Sequence, residues 1–522
     1  MPELTLLPLW RIDGSLKTLS PLRIGDGSIQ EGRIPNRPAR EENPNETPPV
    51  ETLGVFVDAA QRAYIPGSSL RGFLRSYLAS CSRDPSLVDT AFGFQREASR
   101  AGGHGEGLGG AIAVWDARIP DARALPDSVP GPYWDRTRAT CVASHVVLNR
   151  RTRTASDEML FDQEYVPEGI VFDVTMLVEG GGPNEWTPDD IAGALLAALQ
   201  DLRESPARLG ASNAEGWGRL EWRLNAVRRM GERAIAAWLA QPGSPLADHL
   251  QPADPEALLA LGRTLLCAGR SETLDFEIDL RFDAPFLVND ASRVKRPGET
   301  SDKPNHTPLK ALGDAPLLPA SSMHGAMRSQ AERIARTLGL PVCDPAGKKS
   351  ERPPAIKNRG ECSKLDVVSR LFGAPGWRSP LRISDFTLAP GSPDPGEPRT
   401  QEFVAIDRFT GGGADKLKFN AEAFTPAGQD GFTLRGTLSL DAHRLALLAD
   451  GTPGWWDELL HLLTYTLRDL CEGDVPAGFG RSKGYGACTA LVSLASDVNR
   501  CMGLPEPART LIRGWFAERR IA

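Results

Sequence analysis

Two glycine-rich stretches carry the residues with the plainest chemistry. Residues 478–486 read Gly-Phe-Gly-Arg-Ser-Lys-Gly-Tyr-Gly, and residues 210–218 are a weaker copy. Glycines at near-alternate positions strip the Cβ from one side of a loop and open positive φ, so that backbone N–H groups can line up against an anion. Arg481 and Lys483 add charge inside the loop, and Tyr485 adds a flat face. The phosphates and bases of a nucleic-acid strand are the ligand such a loop suits. A glycine-rich turn of a β-domain is the plainer reading of either loop alone. The recurrence of the loop in matched company favours binding.

That company begins with a helix start. Residues 66–72, Pro-Gly-Ser-Ser-Leu-Arg-Gly, parallel residues 319–325, Pro-Ala-Ser-Ser-Met-His-Gly. Serines after a proline turn predict N-caps, and Leu70, Leu74 and Leu78 share one face of the helix they open. Helix N-termini bind phosphate through exposed N–H groups. Ser68, Ser69, Arg71 and Arg75, with Ser321, Ser322 and Arg328, therefore form a candidate anion site, and a capped structural helix is the alternative. His324 stands where the first copy has Arg71. Further on, residues 149–161 align without a gap against 407–419, and Glu164 falls opposite Glu422. Arg150, Arg151 and Arg408 lie there on a turn-rich tip between two strands, which predicts an exposed hairpin.

The elements that position these residues recur in the same order. Each half opens on a strand, sends out a long polar segment (28–49 and 292–308), and returns to the helix. Short strands ending in Asp116 and Asp385 follow, then the hairpin, a helix opened by Thr187-Pro188 or Thr452-Pro453, the glycine-rich loop and a last strand. This predicts an α+β chain of two tandem ferredoxin-like units of βαββαβ plan, the plan of the RRM, with extended loops and thumb hairpins. The RRM aromatic consensus is absent, so function rests on the loops. The expected boundaries are 1–227 for the first unit, 228–271 for a partly helical linker, and 272–522 for the second unit with a terminal helix over 509–520.

Composition narrows the function classes. A chain of 522 residues is too long for one core. No apolar run reaches membrane length, and Met1 to Trp10 lacks the features of a signal peptide, so a cytoplasmic protein without a membrane partner is expected. Eight cysteines without a Cys-x-x-Cys fit reduced thiols, and Cys343 with Cys362 lack the further ligands of a zinc site. A net charge of −7 argues against coating nucleic acid by bulk charge, so binding must use local basic loops on an acidic body. Gly347-Lys348-Lys349-Ser350 lacks the upstream glycine of a phosphate loop, which argues against nucleotide hydrolysis.

Pro-Gly-Ser-Ser-Leu-Arg-Gly at 66–72, the Arg-x-Thr hairpin at 150–161 with its copy at 408–419, and the terminal glycine-rich loop resemble the RAMP superfamily of CRISPR-associated proteins. The resemblance spans nearly the whole chain. It is nearest to the backbone subunits of type III effector complexes, and two units on one chain resemble the double-backbone subunits of type III-D systems. It implies that crRNA is gripped by the helix-start and glycine-rich loops and that the hairpin acts as a thumb in the guide–target duplex. Other effector subunits and target RNA would be the partners. Family members cut target RNA with a loop aspartate and a divalent metal such as magnesium, with no organic cofactor. This chain departs from that pattern: His306 stands near the expected place with Asp302 four residues upstream, the first-unit position falls near Glu51 or Thr52, and the candidates in order are Asp302, His306 and Glu51. A target-cutting endoribonuclease, a catalytically inactive RNA-binding subunit and a crRNA-processing endoribonuclease remain as alternatives. The third calls for a histidine in the first early helix, and His104 and His145 are not there.

Overall fold

A computed structural model of the chain describes residues 8–31, 51–95, 107–120, 125–129, 131–149, 155–180, 186–205, 207–241, 243–267, 273–290, 293–294, 303–311, 314–345, 347, 349–426, 428, 431–449, 454–501 and 503–519. Strict alternation builds its two main sheets. Strand β1 (Leu9–Thr18) buries Trp10, Ile12, Leu16 and Thr18 and turns Arg11, Asp13, Ser15 and Lys17 the other way. With β2 (Ile112–Val114), β3 (Val171–Val178) and β4 (Leu220–Met230) it forms an antiparallel sheet of order β4-β1-β3-β2, in which Ile12 lies opposite Val227 and Met176. The second half repeats this. Strand β5 (Thr273–Phe282) buries Leu274, Phe276, Ile278, Leu280 and Phe282. With β6 (Leu381–Ile383), β7 (Phe432–Asp441) and β8 (Cys488–Leu494) it gives the order β8-β5-β7-β6. A period of two commits one face of each sheet to a core, and helices cover that face.

Helices α1 (Gly67–Cys81) and α2 (Pro188–Gln200) pack on the first sheet. The second of these starts from a capping box of Thr187 and Asp190, with Pro188 in its first turn. Its other side is covered by α3 (Pro255–Leu265): a Cβ on Gly262 would lie 1.9 Å from the Gly193 carbonyl oxygen, so the two helices meet backbone to backbone. Helix α3 falls in the expected linker, yet its Leu258 and Leu259 belong to the first core, and β4 runs on to Met230. On the second sheet lie α4 (Ala320–Thr337), α5 (Asp457–Cys471) and a terminal helix α6 (Glu506–Arg519), whose Phe516 stacks on Phe276 at 5.4 Å. Among the described residues no helix is long and apolar enough to cross a membrane.

The serine N-caps expected for α1 and α4 are replaced by another device. Pro66 and Pro319 hold the cap positions, and the serines lie inside the first turn. The Gly67 N–H donates to Asp116 Oδ1 at 2.9 Å, and the Ala320 N–H donates to Asp385 Oδ1 at 2.7 Å. Proline pre-sets φ, and a carboxylate brought from beyond the neighbouring short strand complements the positive helix end more strongly than a hydroxyl does.

Each half also projects an antiparallel hairpin, Cys141–Leu148 with Ala155–Tyr165 in the first and Arg399–Ile406 with Gly413–Ala423 in the second. The glycine-rich loops close alike. The Leu209 N–H meets the Gly218 carbonyl at 3.0 Å, and the Ala477 N–H meets that of Gly486 at 2.9 Å. Gly218 and Gly486 then donate to the Pro21 and Pro285 carbonyls, each at 2.8 Å. Gly486 has φ +72°, and a Cβ there would sit 2.0 Å from the Ala477 carbonyl oxygen. Left-handed strain and this collision together make Gly486→Ala destabilising by about 2 kcal/mol or more, a fall in Tm of roughly 4–8 °C. Thermal unfolding of the purified full chain checks this, and an unchanged Tm would contradict the geometry.

Candidate nucleic-acid interface

The two glycine-rich loops share a backbone and differ in their surroundings. In the first, a 3-10 turn over Asn213–Glu215 packs against β6 and the start of α4 in the other half of the chain. Gly216, at φ +76°, comes so close that a Cβ would lie 2.5 Å from the Ile383 carbonyl oxygen. Glu215 is half-buried, with its Oε2 enclosed and unpartnered. Burial pushes its carboxyl up to about 7, the Ser212 hydroxyl opposing and Asp385 adding to the rise. Asp385 is itself pushed up to about 6, by burial first, against the Ala320 N–H that it accepts and with Glu168 adding. Nearby, Arg208 is pushed down to about 9 by burial and then by Arg382 across the junction and Arg219. The first loop is thus consumed in holding the halves together.

The second loop is open. Its 3-10 turn exposes Arg481, Ser482 and Lys483 between Gly480 (φ +86°) and Gly484 (φ +80°). The expected row of anion-facing N–H groups is not formed: Phe479 donates to the Leu287 carbonyl at 2.7 Å, Lys483 to Gly480 at 2.7 Å and Tyr485 to Gly480 at 3.2 Å. Charge is therefore presented by side chains. Tyr485 offers no face to a base, because it is only 3% exposed and its hydroxyl donates to Gln401. The rings that do stay half-exposed are others. Phe403 stacks on Phe419 at 5.0 Å, and His306 lies 4.4 Å from Phe479 and 5.9 Å from Phe419. Lys483 Nζ sits 5.4 Å from the Phe419 and Phe479 centroids alike.

The segment returning from the long polar loop is fastened to the hairpin beside these rings. Asn305 and Asn420 exchange backbone-to-side-chain hydrogen bonds of 2.8 and 3.0 Å, and Thr307 donates to Glu422 at 2.7 Å. In the first half Glu164 accepts from Arg138 at 2.6 and 3.0 Å, from Thr140 at 2.8 Å and from the Val55 N–H at 3.3 Å. The matched glutamates are fasteners. His306 bridges Ala421 as Leu53 pairs with Gln163, so the backbone equates His306 with Leu53 and Glu51 with Pro304. Glu51 enters as backbone of the strand Glu51–Leu53, while Asp302, Arg150 and Arg151 lie outside the described residues.

His306 is held below the ordinary imidazole value by burial and by Lys483, so it is neutral at pH 7. Its surroundings are aromatic and cationic and do not fit a divalent metal. Among the described residues one trio of ligating side chains comes together, Asp469, Glu472 and Asp474 at the end of α5, where Asp469 already accepts from Gln330 and Arg468.

The helix-start residues are largely committed. Arg71 donates to the Phe92 carbonyl at 2.6 Å and lies over its ring, and Arg328 donates to the Gly373 carbonyl at 3.0 Å and to Glu332 at 3.3 Å. Arg75 pairs with Asp89 at 3.4 Å. Ser68 is exposed, while Ser69, Ser321 and Ser322 are half-buried. The second hairpin tip is open, with Arg408 exposed and Phe409 99% exposed. The Phe409 and Thr410 N–H groups hold the Asp407 carboxyl below its usual range and shape the turn. Lys483 of the open loop thus lies over Phe419 on the hairpin whose tip carries Arg408. A signal for the rings was in the sequence: His145, Phe161 and Trp217 match Phe403, Phe419 and Tyr485, and His145 stacks on Phe161 at 5.4 Å in the same register.

Residues 15–221 and 281–489 each match the family described as the RAMP superfamily, and the two segments take in most of the chain. No curated protein matches it.

The junction titrates. Glu215 and Asp385 have raised values in the folded chain, so folding retains protons that the unfolded chain releases above the ordinary carboxylate range. Their favourable contribution is complete below about pH 4 and is lost as pH rises through about 6 and 7. Glu215→Gln removes the larger part, with an upper limit of roughly 3 kcal/mol. The expected outcome is a variant more stable than the parent at pH 8 and closer to it at pH 5, read by urea unfolding at both pH values. Parallel curves would contradict the buried carboxyl.

Proposed function

This chain belongs to the RAMP superfamily of CRISPR-associated, RNA-binding proteins, and we propose that it is a double-unit backbone subunit of a type III effector complex that holds crRNA and positions paired target RNA in antiviral defence. Each half is read as a ferredoxin-like RAMP unit, on the strength of the repeated sheet order and of family matches that begin and end at equivalent places. The observation that carries the reading is the open 3-10 turn of the second loop, which exposes Arg481 and Lys483 and sets Lys483 over Phe419 of the hairpin that ends in Arg408, on a body of net charge −7. A cytoplasmic location and contacts with other effector subunits follow from the same reading.

Holding a strand is the role the described residues support. His306 packs among rings with a lysine over them, a setting suited to contact with bases and phosphates. The Arg71 and Arg328 guanidinium groups, aimed at protein carbonyls, brace the helices and leave the loop and tip to meet RNA.

Isolation of the full chain from its native host, with sequencing of bound RNA, tests this. Short repeat-derived RNAs are expected, and their absence would overturn the assignment. In salt titrations with a single-stranded oligoribonucleotide, Arg408→Ala combined with Arg481→Ala should flatten the log K against log salt slope by about 1.4, near 0.7 for each lost phosphate contact. Target RNA paired to the guide should survive magnesium. Cutting that disappears in Asp302→Ala would replace this reading with an endoribonuclease acting through that residue.

A further inference from the structure

The rings under Lys483 form a site that the strand-holding role does not by itself require. Phe403, Phe419, Phe479 and His306 make a half-exposed wall at the base of the second hairpin, with Phe403 stacked on Phe419 at 5.0 Å, His306 tilted against Phe479 at 4.4 Å and edge-on to Phe419 at 5.9 Å. The wall is fixed from behind: the Phe479 N–H is tied to Leu287, Asn305 and Asn420 lock the His306 segment to the hairpin, and buried Tyr485 braces Phe403 at 5.9 Å. What covers it is the chain's own Lys483, whose ammonium faces two rings and has no carboxylate partner among the described residues. His306 Nδ1 is enclosed there without a hydrogen-bond partner.

We infer that this wall is a stacking site for one unpaired nucleobase of bound RNA, with Lys483 as a placeholder that leaves the rings for the adjoining phosphate when the base arrives. The inference rests on the RNA-binding reading above. An exposed ammonium over a ring is held weakly, and a base stacked on an aromatic side chain gains more than that contact loses. The exchange turns a cation–ring contact into a cation–phosphate contact, so the displaced charge is not stranded. The base edge supplies the partner that His306 Nδ1 lacks.

The first half cannot repeat this. Leu53 stands at the position of His306, Ala211 at that of Phe479 and Glu215 at that of Lys483, and the loop is sealed against Ile383 and Ser384. The chain therefore stacks one base, not two. A pyrimidine or a purine is accepted, because the wall reads a π-face and its ring polar atoms are confined to the His306 imidazole.

The test uses the full chain and single-stranded oligoribonucleotides carrying one 2-aminopurine at successive positions. With the parent chain, fluorescence should be quenched at one position per bound chain. Phe479→Leu should abolish that quenching and weaken binding roughly 10-fold with an unchanged salt slope, and Phe479→Tyr should restore both. Lys483→Ala should keep the quenching and flatten the slope by about 0.7. RNA binding without quenching at any position, or quenching that survives in Phe479→Leu, overturns the stacking site and leaves the RNA-binding assignment standing. Absence of RNA binding by the parent overturns both. Circular dichroism of Phe479→Leu guards against misfolding, and the parent's own quenching decides the matter should that variant fail to fold.

Discussion

The close approach of Gly216 to the Ile383 carbonyl is the contact on which the arrangement turns. A side chain at 216 would strike the backbone of the other half, so glycine there lets the first loop lie flat against β6 and the start of α4. Its cost is electrostatic. Glu215 goes into the junction with an unpartnered oxygen and meets the influence of Asp385, and burial outweighs every hydrogen bond offered to either. Because this loop is spent on the junction, the same backbone in the second half is left to face outward with Arg481 and Lys483. Duplication followed by unequal use gives the chain one sealed loop and one open loop.

The same economy governs its anion chemistry. Helix starts are ready-made anion sites, and in α1 and α4 the chain fills them with its own Asp116 and Asp385. The glycine-rich loop turns most of its described N–H groups inward, to Gly480, Arg481, Leu287 and Pro285. Affinity for a polyanion must then come from long basic side chains and from rings, on a body whose net charge is −7. Such a balance favours a strand threaded along a defined path over indiscriminate coating.

Much of this was legible in the residues and some was not. The recurring order of elements, the Thr187-Pro188 helix start and the gapless match of the hairpins announced repeat, helix and hairpin, because these are local patterns. The caps of α1 and α4 were misread because the capping carboxylates come from 49 and 65 residues away along the chain. Tyr485 looked available because a lone aromatic in a glycine-rich loop gives no hint of the small cluster with Leu287, Ala421 and Ala423 that encloses it. Glu51 was singled out as the first-half candidate by counting along loops of different length, whereas pairing against the hairpin sets His306 level with Leu53. Glu215 in place of Lys483 was visible, and its meaning required seeing the junction that buries it.

The account claims that RNA meets the second glycine-rich loop and not the first. Hydrogen–deuterium exchange of the full chain with and without bound RNA tests that claim most directly. Slower exchange over residues 479–485 on RNA binding, with residues 211–217 unaltered, is the predicted result. Equal slowing of both loops, or slowing of 211–217 alone, would contradict it.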